Sequence, residues 1–236
     1  MHGLMKCAIG WMMPLLALSA TSCCDDEEIT EHTPALYDIV ELASQNGSGS
    51  VFHLYKPDAD EPVVLTTSTP AVDLALVDEG ECLLMSYIPE SGVPYTSGPI
   101  EFRSYGLITN ATLKKIKPEN LDGWDADAVF LFSLWRAGDK ICMRVKLDYS
   151  TEPRLFALCV DESTLGEPYP TAYLYHSRRG AEPNFSRQYY AAFDVSELWK
   201  IEGCKGVEIK VNNSNIPSLD SFTVRNPSAT GSMQGE

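Results

Sequence analysis

The sequence predicts a mainly β protein, a small five-stranded barrel followed by an antiparallel seven-stranded β-sandwich. Three observations carry this. Runs rich in β-branched and aromatic residues, each of strand length, recur between clusters of Gly, Pro, Asp and Ser. No segment holds a helical period for three turns. One polar break, "PENLDGWDAD" at 118–127, separates five such runs from seven. Five strands suit a small barrel and seven a sandwich, so we place the first domain at 35–118 and the second at 119–226.

The five runs are "ALYDIVELA", "SVFHLYKP", "EPVVLTTS", "ECLLMSYIP" and "IEFRSYGLITNATLKKI". After the break come "AVFLFSLWRAGD", "KICMRVKLDYS", "PRLFALCVDE", "PTAYLYHSRR", "QYYAAFDVSEL", "GVEIKVNNS" and "SFTVRN". "VSELWK" has room for a single helical turn with Ser196 as its cap. The ending "NPSATGSMQGE" is small and polar, and 227–236 reads as a frayed tail.

Alternation is clearest in "KICMRVKLDYSTEPRLFALCVD". Ile141, Met143, Val145 and Leu147 point one way, and Cys142, Arg144 and Lys146 the other. A turn centred on Ser150-Thr151 sets Cys142 across from Cys159, Val145 across from Phe156 and Met143 across from Leu158. An exported protein can close a Cys142–Cys159 disulfide there. Two unbonded thiols are the other outcome, because one residue of slip separates the pair.

The N-terminus reads as an address. Met1–Lys6 carries one positive charge, Cys7–Ala20 is apolar, and Ala20, Thr21 and Ser22 are small. These are the parts of a secretory signal at 1–22. Fourteen residues make roughly 21 Å of helix, short of the ~30 Å hydrocarbon core. Ala20-Thr21-Ser22-Cys23 resembles a bacterial lipobox, although Ala20 stands where that motif prefers Leu. Cys23 is therefore the expected lipid attachment site, with Cys24 as the fallback. Several acyl chains anchor durably where one is marginal. Residues 23–34 form an acidic tether. The run Asp25-Asp26-Glu27-Glu28 resembles the export signal of surface-exposed lipoproteins in Bacteroidetes-type bacteria.

Charge narrows the partners. The chain has 33 acidic and 18 basic residues, a net charge of −15. The signal removes only Lys6, so the mature chain is more negative still. Such a field repels nucleic-acid phosphates, and no nucleic-acid partner is expected. Motifs of chemistry are missing: no HExxH, CxxC, G-x-S-x-G, GxxxxGK[ST] or GxGxxG occurs. We expect no catalytic residues, no cofactor and no metal. His176 alternates with Leu174 and Ala172, the pattern of a packed histidine. Asp122, Asp125 and Asp127 lack the ligand ladder and distal Glu of a calcium loop. Trp124, Trp135 and Trp199 would be a sugar platform if aligned and exposed, and packing residues otherwise.

The order of motifs in the second half, "TAYLYHSRRGAEPNFSRQYYAAFDVSEL" then "GVEIKVNNSNIPSLDSFTVRN", resembles the C-terminal sandwich of the NigD-like lipoproteins. That family has a strand ending in an aromatic-His pair, here Tyr175-His176, and another ending in Phe193-Asp194-Val195-Ser196-Glu197-Leu198. The first half, with "SVFHLYKPDADEPVVL" and "VDEGECLLMSYI", is similar to the family's N-terminal OB-type domain. The resemblance spans nearly the whole mature chain and implies an OB-like barrel and an envelope lipoprotein. The family's name comes from a member linked to bacteriocin immunity. This chain departs in its four body cysteines and in the long loop "IPESGVPYTSGPIEF".

Three functions stand open at this point. The first is a non-enzymatic outer-membrane lipoprotein, periplasmic or surface-exposed, held in the bilayer by its acyl anchor and binding a protein partner. The second is a glycan-binding accessory, and the third a hydrolase with dispersed carboxylates.

Overall fold

The computed structural model describes residues 34–150 and 153–229. The signal peptide, Cys23, the tether up to Thr33 and the tail from 230 lie outside the described residues.

Strands β1 (Leu36–Asn46), β2 (Gly49–Leu54), β3 (Val63–Thr66), β4 (Cys82–Pro89) and β5 (Gly98–Leu107) close a barrel in the order β1-β2-β3-β5-β4. Its β3–β5 ladder is parallel and the other four are antiparallel. The β1–β2 turn needs Gly49. Its φ is +143°, and a Cβ there would sit 1.9 Å from the Thr67 carbonyl oxygen. Val40, Leu42, Phe52, Leu65, Leu83, Met85 and Tyr87 fill the interior, each at most 1% exposed. Burying a side chain of this size stabilises by roughly 1.5–3 kcal/mol.

The sandwich takes up the rest: β6 (Thr109–Thr112), β7 (Lys114–Ile116), β8 (Phe130–Ala137), β9 (Lys140–Tyr149), β10 (Leu155–Asp161), β11 (Thr171–Ser177), β12 (Phe185–Asp194), β13 (Gly206–Lys210) and β14 (Ser221–Arg225). One sheet runs β14-β13-β11-β10-β7 and the other β6-β12-β9-β8. Between them lie Ile141, Met143, Val145, Leu158, Val160, Phe193, Val207 and Ile209, all fully buried. The protein is thus a barrel followed by a sandwich, as its patterning predicts.

Three details differ from expectation. The fifth predicted run, 100–116, is three strands. Only β5 stays in the barrel, while β6 lies parallel to β12 and β7 parallel to β10. Ala111 and Leu113 pack on the sandwich core, which draws this segment across before the polar break begins. The sandwich therefore carries nine strands.

The expected β9–β10 hairpin does not form. Both edges of β9 are taken, by β8 through the turn at Gly138-Asp139 and by β12 along all ten residues. The chain crosses after Tyr149 into the other sheet, where β10 pairs with β11. Cys142 and Cys159 thus belong to different sheets and both thiols are free, so the expected disulfide between them is corrected. The alternation within β9 holds nonetheless: Ile141, Met143, Val145 and Leu147 are buried, and Arg144 and Lys146 exposed.

The single helical turn, α1 (Ser196–Trp199), is present. Its start is fixed by the Asp194 carboxylate, which accepts from the Ser196 N–H at 2.8 Å, rather than by a Ser196 cap. Residues 227–229, the first of the predicted tail, form a short turn in which the Ser228 N–H donates to the Asn226 side chain.

Candidate functional site

The outer face of the four-stranded sheet is shared. Near Cys142 it is covered by the barrel, through a small apolar cluster of Cys82, Ala137, Cys142 and Ala192 flanked by Ile39, Tyr55, Ile108 and Trp135. Polar clasps ring that cluster. Lys140 Nζ meets Glu41 Oε2 at 2.6 Å. Burial pulls the Lys140 ammonium down, but the Glu41 hydrogen bond and neighbouring charges outweigh it and leave its pKa raised. The buried Arg136 donates through Nη2 to the Asp58 carbonyl at 2.9 Å and to Asp60 Oδ1 at 2.7 Å. The Asn110 side chain grips Cys82 twice, accepting from its N–H at 2.8 Å and donating to its carbonyl at 2.9 Å.

Beside these clasps the two halves part into a cleft of about 480 Å³. Ile39, Leu54, Tyr55, Pro57 and Tyr95 come from the barrel side, and Ser133 and Trp135 from β8. Its walls are mainly apolar and aromatic, with few polar groups, as in small-ligand and anchor-residue pockets. Tyr95 holds φ at +60°, a left-handed conformation that costs a bulky residue about 1–3 kcal/mol. It is 44% exposed, so core packing does not account for that strain. Lys56 Nζ lies 5.9 Å from the centre of its ring.

One carboxylate, Asp38, lines the cleft and accepts from the Tyr87 hydroxyl at 3.0 Å. Burial raises its pKa above the ordinary 3.8, against the lowering effect of that hydrogen bond. Below the cleft, Phe130 and Phe132 pack 5.0 Å apart under Lys146 and Arg144, a basic-aromatic shelf on the free half of the sheet.

A larger cavity of about 710 Å³ opens beside α1, lined by Tyr169, Ile201, Lys205 and Arg225. Ala229, the last described residue, is on its wall. The interdomain cleft is lined by described residues.

The residues singled out from sequence scatter. His176 is 1% exposed, and its Nδ1 lies 3.3 Å from the Asp127 carbonyl oxygen. Burial lowers its pKa below 6.5 despite that bond, so it is a packed neutral ring. Asp127 gives its carboxylate to Arg178, accepting from the backbone N–H at 2.7 Å and from Nε and Nη2 at 3.0 and 2.8 Å. Among the described residues no group of three or more His, Cys, Asp or Glu gathers as metal ligands would.

The tryptophans do not align. Trp199 is buried in the sandwich core, Trp124 packs on Tyr173 at 4.9 Å, and only Trp135 reaches the cleft. Sequence reasoning missed Tyr55, Tyr95 and Asp38. The signal for Tyr95 was present, since it sits in the stretch "IPESGVPYTSGPIEF" that departs from the resemblance, in the part between β4 and β5.

An OB-type barrel followed by a two-sheet sandwich defines the structural class. Solved structures similar to this chain include proteins from Bacteroides and Parabacteroides. A protein of unknown function, DUF1344, from Bacteroides vulgatus ATCC 8482 is 17% identical with a TM-score of 0.61, over 80% of this chain and 88% of that one. A candidate lipoprotein from Bacteroides fragilis NCTC 9343 is 11% identical with a TM-score of 0.56, over 81% and 98%. A NigD-like immunity protein from Bacteroides caccae ATCC 43185 is 15% identical with a TM-score of 0.51, over 80% and 90%. No family model and no curated protein matches the chain. At these identities the likeness is one of fold, and it is the fold that the NigD-like resemblance implies.

Proposed function

We propose that the protein is a cell-envelope lipoprotein, anchored through Cys23, whose barrel–sandwich cleft captures a protein partner without catalytic turnover. The observation that carries this is the cleft itself, an apolar aromatic notch with a strained, half-exposed tyrosine at its lip. A protein partner would insert one aromatic or aliphatic anchor there, and desolvated anchors of that kind dominate binding energies. Lys56 and Pro57 of the β2–β3 loop line it, the acids Asp58, Asp60 and Glu61 follow them in that loop, and the net charge of −15 favours a partner with a basic surface. Support for the envelope reading comes from the lipobox-like start and from the candidate lipoprotein with the same fold. Immunity to a bacteriocin is the finer form of this reading, supported by the fold shared with a NigD-like immunity protein.

Capture from intact cells by the lipidated protein tests it. Tyr95→Ser should weaken capture of the isolated partner by about 10-fold or more, and added salt should slow association. Turnover of a peptide or glycan library that Asp38→Asn abolishes would overturn the non-enzymatic reading. Trp135 in the cleft wall favours a second reading, glycan binding. It would prevail if oligosaccharides, and no protein, bound in a Tyr95-dependent way.

A further inference from the structure

The interface cluster contains two cysteines that neither the anchor nor the cleft uses. Cys82 opens β4 on the barrel, opposite Glu41 of β1. Cys142 sits in mid-sheet on the sandwich, flanked by Trp135 and Ala192. The row Cys142, Ala192, Asn110 runs straight across β9, β12 and β6, and Asn110 holds the Cys82 backbone at both its N–H and its carbonyl. This sets Cys82 beside Cys142 in the apolar cluster between barrel and sandwich. The other buried members of that cluster, Ala137 and Ala192, are small. Cys159 and Cys204 are placed differently: the first lies in the opposite sheet, and the second donates to the Gly206 carbonyl at 3.3 Å.

We infer that Cys82 and Cys142 form a disulfide that staples the barrel to the sandwich. The oxidant is a small-molecule or protein disulfide. One cysteine thiolate attacks a sulfur of that oxidant, forming a mixed disulfide and expelling one thiolate. The second cysteine thiolate attacks the mixed disulfide and expels the other. Two thiol protons and two electrons leave the protein, and the oxidant becomes two thiols.

Cys142 is fully buried and Cys82 nearly so, so the bond forms while the halves are docking and is shielded afterwards. The neighbouring Cys82 thiol and burial both raise the Cys142 pKa, so the packed thiol stays protonated. In the cell the inference rests on the export reading, because reducing compartments keep such pairs open. In vitro it does not.

The test uses the full chain, refolded from denaturant in mixtures of oxidised and reduced glutathione, quenched with an alkylating reagent and mapped without reduction. The expected product is a peptide pair joining Cys82 to Cys142, about 2 Da lighter than the two thiols, with Cys159 and Cys204 alkylated. Closing a loop of about 60 residues should raise Tm by roughly 5–10 °C over the reduced chain. Cys142→Ser should abolish that difference. If this variant does not fold, the map of the unaltered chain decides alone. Full alkylation of Cys82 and Cys142 in every mixture, or either one joined to a different cysteine, would overturn the inference. Failure of partner capture with the cross-link present would sink only the binding reading.

Discussion

The barrel and the sandwich differ in how far their partners lie along the chain. In the barrel, β1, β2 and β3 form a meander, β4 and β5 form a hairpin, and one parallel ladder and one antiparallel ladder close the ring. In the sandwich the chain leaves its sheet after β9 and returns to it only at β12, and the two inserts β6 and β7 arrive from the barrel side. Neighbours in sequence are therefore a better guide to pairing in the first half than in the second. The segment that belongs to both halves, 108–116, ties them together. Ile108 flanks the interface cluster, Asn110 clasps Cys82, and Ala111 packs on the sandwich core.

The contrast is broken most directly by emptying each core in turn. Phe193→Ala in the sandwich and Phe52→Ala in the barrel each remove a fully buried ring, and each should cost about 3–5 kcal/mol. The barrel and the sandwich belong to one compact unit, so both losses should appear as a lower midpoint of one shared unfolding transition, followed by fluorescence and circular dichroism together. Two separated transitions, each moved by only one variant, would show that the interface cluster does not couple the halves.

How much of this was legible from the sequence follows the same division. Every predicted run contains a strand, because period-2 alternation and turn residues are local signals. Pairing is not local. Nothing in "KICMRVKLDYSTEPRLFALCVD" announces that β12, forty residues on, will occupy the edge offered to β10. The alternation placed Cys142 on the outward face, which was correct, but outward there means under the barrel. The cleft was the least legible feature. Its walls come from β1, the end of β2, two loops and β8, and their convergence is a product of docking. A single tryptophan and an unusual loop were the signals available.

Asn110→Ala sharpens the comparison at the hinge point itself. It removes two hydrogen bonds to the Cys82 backbone while leaving β6 paired to β12. The expected loss is about 1–3 kcal/mol, the cost of leaving buried backbone groups without partners. In the reduced protein the variant should also label faster at Cys82 and Cys142, while labelling at Cys159 and Cys204 stays unchanged. Equal acceleration at all four thiols would indicate global rather than interfacial loosening.

The smallest effect separates the two halves by the sign of a titration. Asp38 on the barrel and Asp127 on the sandwich are both partly buried carboxyls, yet they shift in opposite directions. Burial raises Asp38, with only the Tyr87 hydroxyl to offset it. Burial also acts on Asp127, but the Arg178 hydrogen bonds and charge outweigh it and its pKa falls below 3.8. A carboxyl lowered in the folded state contributes stability that is present above the unfolded value and lost as pH falls through the folded one. A carboxyl raised in the folded state does the reverse, losing stability as pH climbs from the unfolded value through the folded one.

Arg178→Ala should therefore cost about 1–2 kcal/mol near pH 7 and progressively less toward pH 3, as Asp127 takes up its proton. Asp38→Asn keeps an acceptor for Tyr87 and removes the buried charge. Near neutral pH it should leave stability unchanged or higher by up to about 1 kcal/mol, and it should lose that advantage in acid. Urea midpoints measured across that range read both. A cost for Asp38→Asn at neutral pH would mean that the cleft carboxylate is a structural group. A gain would mean that the chain keeps an acid in its cleft at the expense of stability, as a group that meets a ligand would be kept.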